Sequence, residues 1–170
     1  MLCRLLRDRG LNAETIDDFA SSSYAKQYEG SLAKEYDLIT AFEVFEHLAS
    51  PAQMLSRLFQ SNSKFVVAST EKYAGQSSDW WYLAPEHGQH IFFYSSRTFK
   101  FLAQRFQYFY YEISGRHVFA KAPLTRIQRW TLSRMTSGRL FKVLRALLPF
   151  SETWHWISRD LDSIRRNRAV

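Results

Sequence analysis

Apolar and polar residues repeat along this chain with two different periods, and the switches between them delimit the elements. Leu2, Leu5 and Leu6 fall on one helical stripe with Arg4, Asp8 and Arg9 off it, and Gly10 stops the run, which predicts a short helix over residues 2–9. Residues 11–16, Leu-Asn-Ala-Glu-Thr-Ile, alternate as a strand does and end at Asp17-Asp18. Residues 21–34 are polar, with a Gly-Ser turn at 30–31, and read as a loop. Residues 36–42 and 64–70 are two strands apolar enough to be buried on both faces. Between them Pro51 opens a helix to about Gln60, with Ser50 as N-cap and Met54, Leu55, Leu58 and Phe59 as the buried stripe.

A strand, a crossover helix and a second strand imply a parallel sheet, whose ligands bind beyond the carboxyl ends of the strands. Asp17, Glu43, Glu46, His47 and Thr70 collect at that edge. The irregular residues 71–90 leave from the same edge, and a loop of this length in a compact domain is usually a lid or binding loop. Ser95-Ser96 then caps a helix to about Phe106, with Phe99, Leu102, Ala103 and Phe106 as its stripe. Strands over 108–113 and 117–121 follow, joined by a tight Ser114-Gly115-Arg116 hairpin. From Pro123 the pattern is helical and basic, with Ile127, Trp130, Met135, Leu140 and Leu147 spaced among arginines. The prediction is an α/β domain over residues 1–122, a Rossmann-like mostly parallel sheet ending in an antiparallel hairpin, and a basic amphipathic helical extension over residues 123–170.

Charge divides the chain at nearly the same place. Residues 1–120 hold 12 Lys/Arg against 13 Asp/Glu, whereas residues 121–170 hold 11 against 3. The tail could meet an anionic membrane, an acidic partner or nucleic acid; nucleic acid is disfavoured because no recognised binding motif accompanies the charge. The lone Cys3 excludes an intramolecular disulfide and a cysteine-cluster metal site. No apolar run reaches the roughly 18–20 residues of a membrane span, and the first residues are too charged for a signal peptide, so a cytoplasmic location is expected, with peripheral membrane association open to the tail.

The chemistry-bearing residues lie at the strand ends and in the long loop. If the chain turns helical after Phe42, Glu43, Glu46 and His47 share a face. They could gather a divalent cation, but a hydrogen-bond network at a helix start is the favoured reading and no metal is assigned. Asp17 ends a strand where an acid can accept hydrogen bonds from ribose hydroxyls, although Asp there is also a common turn or cap residue. Trp80, Trp81, Tyr82, Phe92, Phe93 and Tyr94 would line an apolar pocket or pack as core.

Two stretches, Tyr-Asp-Leu-Ile-Thr-Ala-Phe-Glu-Val-Phe-Glu-His-Leu at 36–48 and Glu-His-Gly-Gln-His-Ile-Phe-Phe-Tyr-Ser at 86–95, carry a resemblance. Over residues 2–121 the chain resembles the class I S-adenosylmethionine-dependent methyltransferases, in the branch of the ubiquinone-biosynthesis-like O-methyltransferases. The resemblance implies S-adenosylmethionine as cofactor, with Asp17 on its ribose and Phe42 and Glu43 along its methionine moiety. It implies that Glu86, His87 and His90 reach over the active site toward a small-molecule acceptor, a lipid-like phenol or a saccharide. His90 is then the candidate base, with His87 as second candidate and Glu86 able to orient one of them. Phe19 and Tyr24 are candidates to stack on the adenine.

The family's first strand and glycine-rich turn have no match here, and the backbone N–H groups of that turn approach the cofactor closely where only glycine leaves room. A truncated methyltransferase-type gene product is the favoured explanation, with an in-frame extension upstream of Met1 as its expected mark. The alternative is a non-catalytic remnant acting as a partner- or membrane-surface-binding module, with Trp130, Trp154 and Trp156 at the interface.

Overall fold

The computed structural model of the protein describes residues 2–18 and 25–136. The chain forms two compact units, one containing residues 1–31 and the other starting at Leu32 and carrying every strand found among the described residues.

In the first unit α1 (Leu2–Arg7) closes where Gly10 takes a φ of +78°, as the leucine spacing and the glycine predict. Arg7 is buried; its guanidinium lies 3.3 Å from the Tyr28 ring centroid and donates to the Ala13 carbonyl at 3.0 Å. The predicted strand over residues 11–16 is reduced to a single parallel bridge between Thr15 and Glu29. Alternation only sorts side chains between two faces, and a strand forms only where a neighbour supplies a ladder. Here the neighbour pairs at one position, Thr15 N–H donating to Tyr28 O at 2.8 Å and Gly30 N–H to Thr15 O at 2.8 Å.

The second unit is a four-stranded sheet in the order β1-β2-β4-β3, built from β1 (Leu38–Phe42), β2 (Phe65–Ser69), β3 (Phe109–Ile113) and β4 (Arg116–Ala120). β1 and β2 are parallel, with Leu38 opposite Phe65 and Phe42 opposite Ser69, and α2 (Pro51–Gln60) makes the crossover. β4 runs antiparallel to both β2 and β3. Ser114 and Gly115, at φ +50° and +72°, make the turn between them, both central residues at positive φ as a tight hairpin requires.

The register places Ile39, Val66 and Phe119 on one face of the sheet, together with Ala41, Ala68 and His117, and all six are buried. α2 and α3 (Ser96–Arg105) cover that face: Phe59 meets Phe119 edge-on at 4.8 Å and Phe99 stacks on His117 at 3.8 Å. Each of these buried phenylalanine side chains contributes about 1.5–3 kcal/mol by leaving water. Ser95 starts α3 with a capping box, its Oγ accepting from Thr98 N–H at 3.3 Å. Ser50 stands at the N-cap of α2 without a side-chain cap bond; its carbonyl accepts from Met54 N–H, and Pro51 sets the first turn.

α4 (Arg126–Thr136) packs against β3, so the start of the basic extension belongs with the sheet. Of the expected extension over residues 123–170, residues 137–170 lie outside the described residues. Among the described residues no helix is long and apolar enough to cross a membrane.

Candidate active site

Everything in the site hangs on what happens after Phe42, where β1 stops. Glu43 takes a φ of +49°, a left-handed conformation that costs a non-glycine residue about 1–3 kcal/mol unless its surroundings hold it. β2 holds it. Glu43 N–H donates to Ser69 O at 3.0 Å and to Ser69 Oγ at 3.1 Å, while Ser69 Oγ donates to Glu43 Oε1 at 2.7 Å. The chain then makes a 3-10 turn at Phe45–His47 rather than an α-helix, and the reversal at Glu43 aims Glu43 and Glu46 at one point.

That point is the hydroxyl of Tyr82, a residue only 2% exposed that sits in the 3-10 turn Trp81–Leu83 of the long loop. The hydroxyl lies 2.9 Å from Glu43 Oε2 and 2.7 Å from Glu46 Oε1, and 3.2 Å from Thr70 Oγ1. A phenol has one proton, so the two carboxyls share a single donor while Thr70 donates to the phenol oxygen. Burial pushes the Tyr82 hydroxyl's pKa well above its ordinary value, and the bonds to Glu46 and Glu43 push the same way, so it stays protonated. Burial also pushes Glu43 upward, but the bonds from Ser69 and Tyr82, the Glu46 carboxyl and the charge of His90 outweigh it and leave Glu43 below the ordinary carboxylate value.

Glu46 is fully buried, and its Oε2 meets no hydrogen-bond donor of the protein among the described residues. A buried carboxyl with one unsatisfied oxygen is costly, and such groups concentrate where chemistry is done.

Two histidines face this carboxyl. His47 Nδ1–H donates to Gln89 O at 2.9 Å, and His90 Nδ1–H donates to Tyr82 O at 2.6 Å. Carbonyls only accept, so both rings in their neutral form carry the lone pair on Nε2. The His47 Nε2 is 3.9 Å from Glu46 Oε1, and the two rings meet edge-on at 4.8 Å. One ligand atom from each of Glu46, His47 and His90 falls within 4.8 Å of the others, so these three could hold a divalent cation with both imidazoles already oriented through their second nitrogens.

The loop that brings Tyr82 and His90 here is pinned from below. Ile91 and Phe92 N–H groups donate to Glu46 O at 2.9 and 3.2 Å, and Tyr94 OH donates to Phe45 O at 2.9 Å. Burial, reinforced by the charge of Glu46, pushes Tyr94 up to about 12. Behind Thr70, His117 Nε2–H donates to Thr70 O at 3.1 Å and Nδ1 accepts from Tyr110 OH at 2.9 Å. Burial leads in pulling its pKa below the ordinary histidine value, which makes His117 a neutral strut.

Of the residues singled out by sequence, Glu43, Glu46, His47 and His90 converge. Glu86 and His87 do not: they lie exposed on a turn closed by bonds to Ala84 O, about two-thirds out in solvent at 68% and 70%, with His87 Nε2 3.9 Å from Glu86 Oε1. Phe42 is 43% exposed at the end of β1. Asp17 is exposed and belongs to the first unit. Phe19 and Tyr24 lie outside the described residues. Neither Tyr82 nor Ser69 stands in a motif; the only signal in the sequence for either is proximity to the strand ends.

A family model described as a methyltransferase domain matches residues 1–112, from α1 into β3. The chain belongs to this methyltransferase-domain family. None of the curated proteins compared matches it. Members of the family generally use S-adenosylmethionine, and the mixed four-stranded sheet fits a partial Rossmann-like methyltransferase fold. Ligands of open α/β sheets bind beyond the carboxyl ends of the strands, and Glu43, Tyr82 and His90 stand at that edge of β1 and β2.

Proposed function

We propose that the protein transfers a methyl group from S-adenosylmethionine to a hydroxyl of a small acceptor, a lipid-like phenol or a saccharide, as in the ubiquinone-biosynthesis-like O-methyltransferases. The observation that carries this is His90: its Nδ1–H is fixed on Tyr82 O, which leaves Nε2 as a basic lone pair at the carboxyl edge of the sheet. The cofactor supplies an electrophilic methyl on a sulfonium. On the acceptor side His90 Nε2 would take the hydroxyl proton, leaving the oxygen as the nucleophile toward that methyl.

The chain's own residues fit the cofactor in part. Phe42 offers apolar surface at the strand end. The Glu43 carboxylate is engaged by Ser69 and Tyr82, so what Glu43 offers is its negative charge and its reversed backbone. Tyr82 and Thr70 hold that charge in place.

The unpartnered Glu46 Oε2 favours a second reading of the same site, in which a divalent cation sits among Glu46, His47 and His90. His90 Nε2 would then be a ligand rather than the base, and the cation would supply Lewis acidity toward the acceptor hydroxyl. Transfer of radiolabel from S-adenosylmethionine to phenol and saccharide acceptors tests both. With His90 as base, His90→Ala lowers turnover about 100-fold or more, added imidazole restores part of it, and chelators change nothing. Loss of turnover on chelation, restored by metal, selects the cation. Unchanged turnover in His90→Ala overturns both.

A further inference from the structure

We propose that α4 docks on an anionic phospholipid bilayer, lying in the interface with Ile127 and Trp130 inserted and the neighbouring arginines against headgroup phosphates. This inference is independent of the methyl-transfer reading, since it uses none of that site's residues.

The helix is fastened to the β3–β4 hairpin and the loop that follows it. Leu124 N–H donates to Tyr111 OH at 2.8 Å, the Arg129 guanidinium lies 5.6 Å from the Tyr111 ring centroid, and Ser114 Oγ donates to Ser133 O at 3.4 Å. Ile127 and Trp130, three residues apart and so on one helical face, stand in solvent at 76% and 61% exposure. Phe109, 46% exposed, lies on the same sheet face as Tyr111, two residues along β3. Apolar side chains this large, standing in water on one helix, need a partner surface.

Charge selects the partner. Lys121, Arg126, Arg129 and Arg134 are the only ionisable side chains over residues 121–136, without one acid among them, and the adjoining hairpin adds Arg116. A second copy packed symmetrically would set this cationic patch against itself. A nucleic acid could take the arginines and stack on Trp130, but offers nothing to Ile127, the most exposed of the described large apolar residues. A bilayer interface takes all three kinds of group at once: aliphatic chain inward, indole at the boundary, guanidinium on phosphate.

Flotation of the full chain with vesicles tests this. Vesicles of phosphatidylcholine with phosphatidylglycerol should carry the protein up and vesicles of phosphatidylcholine alone should not, with binding weakened by salt. Ile127→Ser with Trp130→Ser keeps the net charge and should weaken binding at least about tenfold. Arg126→Glu should weaken it about fivefold or more. Both sets change exposed positions, and an unaltered circular dichroism spectrum and melting midpoint confirm that each still folds. Equal binding to neutral vesicles would overturn the proposal, as would undiminished binding of the double-serine variant. So would failure to float combined with oligonucleotide binding, or with self-association, that the same substitutions abolish.

Discussion

Replacing Tyr82 with Phe removes one hydroxyl and almost no volume, yet it withdraws the donor shared by Glu43 Oε2 and Glu46 Oε1. Glu43 keeps Ser69; Glu46, 0% exposed and already without a partner on Oε2, is left with no hydrogen-bond donor among the described residues. A hydrogen bond to a charged group contributes about 1.5–3 kcal/mol, and a buried acceptor left bare costs about as much as the bond it lost, so Tyr82→Phe should destabilise the protein by about 2–4 kcal/mol. Urea unfolding at neutral pH followed by circular dichroism reads this as a lower midpoint at unchanged slope. The penalty must also depend on the carboxyl. With Glu46→Gln in the background, Tyr82→Phe should cost at least about 1 kcal/mol less than it does alone. A single-variant cost under about 0.5 kcal/mol, or strict additivity of the two substitutions, would refute the idea that Tyr82 is the shared donor of a buried carboxyl pair.

Glu43 lies below its ordinary value of 4.5, so its bonds stabilise the fold above that pH and are lost as the pH falls through the lower folded value. The stability difference between the protein and Glu43→Gln should therefore be full at neutral pH and shrink below about pH 4.5; melting curves in which the gap widens on acidification would contradict this. Tyr94, Tyr108 and Tyr110 are each raised to about 12 by burial, so stability should hold up to the ordinary tyrosine value of 10 and fall as pH rises from there. Absorbance titration of tyrosinate checks it, and ionisation of all nine tyrosines near pH 10 would count against the packing. For the cation, calorimetric titration with Zn²⁺ or Mg²⁺ should give heat that Glu46→Gln and His47→Ala both abolish; no heat from the unaltered protein removes the cation.

The elements were legible where the pattern and the packing agree. The leucine and phenylalanine spacing of α2 and α3 marks the residues that bury themselves, and Ser114-Gly115 marks a turn whose two positive φ values its residues tolerate. Residues 11–16 show where a pattern is not enough, because the alternation is local and the ladder depends on a partner that pairs at one position only. The site was half legible. Two acids and a histidine at a strand end announce chemistry, but which loop side chain meets them depends on the reversal at Glu43 and on bonds such as His47 to Gln89, 42 residues apart. No periodicity encodes a contact of that range, so Tyr82 passed for one aromatic among several. Likewise Glu86, His87 and His90 look equivalent in sequence, and only the turn closed on Ala84 shows that the first two face solvent while the third faces Glu46.

The claim on which the rest depends is that this chain engages the methyl donor. Equilibrium dialysis of the protein against tritiated S-adenosylmethionine tests it most directly. Saturable binding that S-adenosylhomocysteine displaces is the predicted result. Retention no greater than that of an unrelated protein, at any concentration of the donor, would contradict it.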